Sequence, residues 1–119
     1  MSYVHGFLLA VPNANKAAYT EMAESASKVF LDNGATSVME TWGSDVPDGE
    51  VTSFPMAVKL EPDETVVFSW IVWPDKAAAE AGMDASMKRL NDMLGSDMNS
   101  MPFDGKRMIW GGFEAIVEA

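Results

Sequence analysis

Val66-Val67-Phe68-Ser69-Trp70-Ile71-Val72-Trp73 is the stretch that decides the fold. Successive side chains of a strand point to opposite faces, so one face carries Val66, Phe68, Trp70 and Val72 and the other Val67, Ile71 and Trp73. Both sets are apolar, and a strand of that kind has to be covered on both sides. Leaving large apolar side chains in water forfeits roughly 2–3 kcal/mol each, against about 5–15 kcal/mol of total stability for a domain. The rest of the chain offers two substantial helices, enough for one side. The second side is expected to be covered by another copy of the protein, giving a homodimer with two sheets face to face.

The flanking segments supply the partners of this strand. Tyr3 to Val11 reads as a first strand, and Pro12-Asn13-Ala14-Asn15 punctuates it, with Asn13 or Asn15 able to cap a helix. Tyr19, Met22, Ala23, Ala26, Val29 and Phe30 recur at three-and-four spacing, which predicts a helix with one buried stripe running to about Asn33. Asn33-Gly34 should end it, because glycine takes the left-handed conformation without strain. Ser37 to about Gly43 reads as a second strand, followed by turns from Ser44 to Glu50. Ser53-Phe54-Pro55 opens a short capped helix, and Pro62-Asp63-Glu64 is a solvated turn into the third strand, Thr65 to Trp73. Asp75 is the expected cap of a second long helix with a stripe of Ala79, Met83, Met87, Leu90 and Leu94. Gly82 inside that helix costs about 1 kcal/mol relative to alanine and marks a point where it could break. Gly95 to Gly105 reads as a loop, and a fourth strand runs from Lys106 or Arg107 to Val117. Gly111-Gly112 within it points to a bulge or a close backbone approach. The order is βαβ twice over. It predicts one α+β domain over residues 1–119, a ferredoxin-like βαββαβ fold. Its four-stranded antiparallel sheet would carry the helices on one face and pair into a dimeric α/β barrel.

Composition narrows the function classes. The 119 residues contain no cysteine and one histidine, which removes disulfides, thiol nucleophiles and His-rich metal clusters from a single subunit. Eighteen acidic against eight basic residues give a net charge of −10, with no basic stripe to neutralise phosphates, so neither nucleic acid nor an anionic membrane surface is an expected partner. No apolar run approaches the ~20 residues of a membrane span. No signal peptide is read at the start, and a cytoplasmic protein is expected.

At Val46-Pro47-Asp48-Gly49, Val66-Val67-Phe68-Ser69-Trp70-Ile71 and above all the fourteen residues Met101 to Glu114, MPFDGKRMIWGGFE, the chain closely resembles the YbaA-like bacterial proteins. That resemblance runs from Tyr3 to Val117. It implies the dimeric α/β-barrel superfamily and no particular activity. Other branches of the superfamily are cofactor-free monooxygenases, haem-degrading enzymes and small-molecule isomerases, which is analogy at the level of fold. The chain departs from the family pattern at His5, Thr41 and Trp110, where Asp, Cys and Tyr are usual. An imidazole at position 5 or a thiol at 41 is therefore not a shared catalytic group.

Three residues are the catalytic candidates. His5 is the one side chain that titrates near neutrality unperturbed. Glu40, set among Val38, Met39, Thr41 and Trp42, is a carboxylate on a half-buried strand, the setting that raises a pKa for acid–base work. Asp104 begins an Asp-Gly turn, and Arg107 beside it either fixes an acidic ligand or pins the loop through an ion pair. Trp42, Trp70, Trp73 and Trp110 are the candidate walls of a pocket for a flat apolar ligand, or else core and dimer packing, and Arg107 is a further candidate ligand contact. No metal is expected. Asp45-Val46-Pro47-Asp48-Gly49 lacks calcium-loop spacing, and Met83, Met87, Met93, Met98, Met101 and Met108 read as pliable core filler rather than thioether ligands. No phosphate loop or nucleophile triad is present, and no cofactor is expected. The expected role is binding of a small apolar or aromatic molecule in the barrel cleft. The alternatives are a cofactor-free monooxygenase or isomerase-type enzyme and a non-catalytic structural or interaction module.

Overall fold

The computed structural model describes residues 1–94 and 101–119. Its elements are β1 (Tyr3–Pro12), α1 (Lys16–Asp32), β2 (Ser37–Glu40), α2 (Phe54–Ala57), β3 (Glu64–Trp73), α3 (Lys76–Leu94) and β4 (Ile109–Glu114), with 3-10 turns at Asn13–Asn15 and Gly105–Arg107. The four strands form one antiparallel sheet in the order β2-β3-β1-β4. The chain is thus an α+β protein built on a four-stranded antiparallel sheet, as expected. The part of the predicted 95–105 loop spanning 95–100, Met98 and the Leu94 side chain lie outside the described residues.

Local chemistry sets most boundaries. Gly34, at φ +105°, turns the chain out of α1 while the Ala35 N–H donates to the Phe30 carbonyl at 3.0 Å. The Ser53 hydroxyl accepts from the Met56 N–H at 3.1 Å and caps α2. The Asp75 carboxylate accepts from the Ala78 N–H at 2.8 Å and caps α3. Neither asparagine caps α1. Asn15 donates its side-chain amide to the Pro102 carbonyl at 3.0 Å, and Asn13 accepts from the Thr65 hydroxyl, so both tie the start of α1 to neighbouring segments instead.

The sheet has two unlike faces. On one, Leu9, Val11 and Val67 bury against Tyr19 and Ala23 of α1, and Ile71 and Trp73 against Phe30 of α1 and Ala79 of α3. On the other, Ala10 and Val66 bury under Val58, flanked by Val46 and Leu60. The segment around α2 therefore covers part of the face that the sequence had assigned wholly to a second copy. The remainder of that face is open: Met39, Phe68, Ile109 and Phe113 are exposed, and Trp70 is half-buried.

Two glycines are there for closeness rather than turning. α3 runs unbroken through Gly82, where a Cβ would overlap the Trp73 ring and come within 2.7 Å of the Asn33 carbonyl oxygen. Its buried line is accordingly Ala79, Gly82 and Ser86, with Met83 and Leu90 beside it, while Met87 faces solvent. β4 pairs with β1 residue for residue from Leu8↔Ile109 to Tyr3↔Glu114, without a bulge. A Cβ at Gly112 would collide with the Tyr3 ring, so the glycine pair marks a close approach. β4 is shorter than predicted at both ends, because Gly105–Arg107 curls into a 3-10 turn and pairing stops at Glu114.

Candidate functional site

Glu40 stands opposite Ser69, and Ser69 opposite Phe7, so the Glu40 side chain shares the helix-bearing face of the sheet. Tyr19, in the buried stripe of α1, reaches over that edge and donates its hydroxyl to Glu40 Oε1 at 2.6 Å. Beyond Glu40 the chain still follows β3, with the Thr41 N–H on the Phe68 carbonyl at 3.2 Å and the Gly43 N–H on that of Val66 at 2.9 Å. This returns Trp42 to the helix side, against the core around Val67. The result is a groove of about 250 Å³ between α1 and the β2 edge, lined by Lys16, Tyr19, Thr20, Ala23, Glu24, Ser27, Val38, Glu40, Thr41 and Trp42. The Lys16 ammonium lies 5.0 Å from the centre of the Trp42 ring. Burial of the Glu40 carboxyl raises its pKa, and hydrogen bonds from the Tyr19 and Ser69 hydroxyls counter part of that rise. Burial and the neighbouring Glu40 charge push the Tyr19 hydroxyl up, so it remains a donor at any ordinary pH. A wider depression over the outer surface of α1 is open to solvent and lacks both an aromatic wall and Glu40.

The other candidates stand elsewhere. His5 is buried on β1, two residues from Phe7, and its Nδ1 accepts from the Trp73 indole N–H at 2.9 Å. That bond places the proton of the neutral ring on Nε2, and burial lowers the pKa, so the imidazole is uncharged at pH 7. Trp110 lies beside it, ring centres 6.4 Å apart, and is 64% exposed. Asp104 caps the 3-10 turn, accepting from the Lys106 N–H at 3.0 Å and from Arg107 Nε at 3.1 Å. Arg107 spends the rest of its fork on Glu64, at 2.8 and 2.6 Å, and on the Lys59 carbonyl at 3.0 Å. Glu64, read from sequence as part of a solvated turn, is buried, and the Arg107 bonds hold its carboxyl below the usual carboxylate range. Trp70 is on the opposite sheet face, tilted against Phe68 with 5.2 Å between ring centres. Of these candidates, then, the fold gathers Glu40 with Trp42, His5 with Trp110 and Asp104 with Arg107, in three separate places.

Sequence reasoning missed Tyr19, Ser69 and Lys16 as groove residues and Glu64 as the partner of Arg107. Tyr19 was counted for its ring and not its hydroxyl. Ser69 did carry a signal, as the one hydroxyl in the Val66 to Trp73 run. Among the described residues, no group of three or more His, Asp or Glu side chains is placed to hold a metal ion.

Fold and groove together define a small α+β protein with a tyrosine-held carboxyl at a sheet edge. Residues 2–105 match the family described as "Protein of unknown function (DUF1428)", and the chain belongs to that family. It is 52% identical over 119 residues to "Uncharacterized protein YbaA" of Escherichia coli (strain K12), with 99% of each chain covered, and equally so to the Shigella flexneri protein of that name. The YbaA-like resemblance is therefore shown. Among solved structures, "De novo designed protein Foldit4" superposes with a TM-score of 0.50 at 11% identity, covering 97% of this chain and 99% of the other, a likeness of fold alone. Among the described residues, no helix is long and apolar enough to cross a membrane.

Proposed function

We propose that this protein binds a small apolar or aromatic molecule in the groove between α1 and the β2 edge, and that it works as a homodimer of ferredoxin-like subunits. The observation that carries the binding reading is the pairing of an apolar wall, Trp42 with Val38 and Ala23, with a carboxyl that Tyr19 holds in one orientation at 2.6 Å. A few convergent polar groups on an otherwise apolar concavity are what ligand sites have in common. Asp104 and Arg107 have their hydrogen bonds met within the chain, and His5 is buried with its Nδ1 taken by the Trp73 indole, so all three serve the fold. The strand order β2-β3-β1-β4 agrees with the ferredoxin-like reading. The open patch of Met39, Phe68, Ile109 and Phe113 supports pairing of two sheets into a dimeric barrel.

Two measurements test this. Thermal-shift screening against small aromatic molecules should find stabilising ligands whose effect is lost in Trp42→Ala; no stabilisation across the panel would defeat the binding reading. Light scattering after size exclusion should give twice the chain mass of 12.9 kDa, and Phe113→Asp should halve it. A wild-type monomer at micromolar concentration would defeat the dimer.

One observation favours a second reading, a cofactor-free monooxygenase or isomerase-type enzyme. The Glu40 carboxyl, with its raised pKa, is suited to exchange a proton with a bound molecule. Were that so, Glu40→Gln would abolish turnover of a bound ligand while leaving its binding within a few-fold.

A further inference from the structure

The groove already holds a cation. Lys16, the first residue of α1, lays its ammonium 5.0 Å from the centre of the Trp42 ring, inside the roughly 6 Å reach of a cation–π contact. The electron-rich face of that ring is thus turned toward a positive charge. Glu40 and Glu24 line the same groove, and Lys16 is its one basic residue. Among the described residues, no ion pair within 4.0 Å joins Lys16 to either carboxylate. The net charge of −10 adds a long-range field of the same sign as these two groups.

We infer that the groove is a receptor for small organic amines: an ammonium head on a flat or branched apolar stem, with Lys16 as an internal stand-in that the ligand displaces. The inference rests on the groove being a small-molecule site and deepens that reading by naming the charge. Among the described residues, Lys16 meets the ring without an ion pair to any carboxylate. A free amine lying with its stem along Val38 and Ala23 would offer its ammonium to the ring and to the Glu40 carboxylate together. Tyr19 fixes that carboxylate at 2.6 Å, so no side-chain freedom is lost when the amine arrives. Lys16 gives way readily, because its contact is exposed and its stem is long and flexible. An anionic ligand would instead meet two carboxylates against the single ammonium of Lys16, and a neutral one would leave Glu40 without an opposite charge.

Titration of the full-length protein at pH 7.5, followed by tryptophan fluorescence, with benzylamine, benzyl alcohol and benzoate as matched probes, tests the charge. Benzylamine should bind about tenfold more tightly than benzyl alcohol, the size of one charge-assisted hydrogen bond, and benzoate most weakly. Lys16→Ala, at an exposed site that should leave the fold intact, should tighten benzylamine several-fold by removing the competitor. Glu40→Gln should erase the preference for the amine over the alcohol. Equal or tighter binding of the alcohol or benzoate would overturn the amine assignment while leaving the small-molecule site standing. Weaker benzylamine binding by Lys16→Ala would do the same, making Lys16 a ligand contact. No binding of any of the three probes, and no hit in the wider aromatic panel, would overturn both.

Discussion

Gly82 sits in mid-helix with the Trp73 ring where its side chain would be. Helix propensity alone says that alanine there should stabilise α3 by about 1 kcal/mol. The packing says otherwise, since the ring is wholly buried and has nowhere to move. Gly82→Ala should therefore destabilise the protein by about 2 kcal/mol net, as overpacking of a filled core does, and urea unfolding will show it as a lowered midpoint. Ser86, one turn further on, has the opposite character. Its hydroxyl is fully buried and, among the described residues, has no hydrogen-bond partner. Ser86→Ala removes a desolvated polar atom and should raise stability by about 1 kcal/mol, read in the same titration. Neither residue stood in the stripe that periodicity predicted for α3, because Gly82 answers to a ring from β3 and a carbonyl from the α1 terminus that periodicity does not see.

At the scale of elements, the join between β3 and the turn before β4 depends on one ion pair. The Glu64 side chain is 4% exposed and that of Arg107 19%. The fork–fork geometry also satisfies the Lys59 carbonyl. Arg107→Met should cost about 3 kcal/mol, because it leaves Glu64 as an uncompensated buried charge. Replacing both, Glu64→Leu with Arg107→Met, should recover most of that loss, and the two denaturant midpoints together form the check. Sequence reading offered Arg107 both as a ligand contact and as a loop pin through Asp104, and the Asp104 bond is what the structure holds. It could not find Glu64, which is 43 residues away in the chain and looks like any acidic turn residue until β3 and the Gly105–Arg107 turn are brought side by side. Glu40 was legible for the opposite reason: an acid among apolar strand residues is anomalous wherever it occurs.

For the whole molecule, the titratable groups whose pKa the fold shifts set how stability follows pH. The His5 pKa is lowered from 6.5 by burial. The unfolded chain then binds the proton more readily than the folded one, so this contribution is full above pH 6.5 and is lost as pH falls below it. The Glu64 pKa is lowered from 4.5, so its contribution is full above that value and fades further into acid. Glu40 has the reverse sign: its raised pKa means that ionisation above 4.5 works against folding. Thermal melts should accordingly show stability declining in two stages on acidification, the first beginning near pH 6.5. His5→Gln should remove the first stage while keeping the second. A wild-type melting temperature flat between pH 7 and pH 5 would contradict the buried, neutral histidine.

The sequence by itself determined the element order, the two-faced apolar character of β3, most helix caps and stops, and the family, because these depend on local propensity, on spacing and on motif. Only the tertiary structure decided which face each helix covers, that the α2 segment shields part of the second face, and that Tyr19, Ser69, Glu40 and Trp42 meet at one edge while His5 and Asp104 do not. Those outcomes come from contacts between residues far apart in the chain. A strand's periodicity says that two faces exist, and only packing says what lies against each.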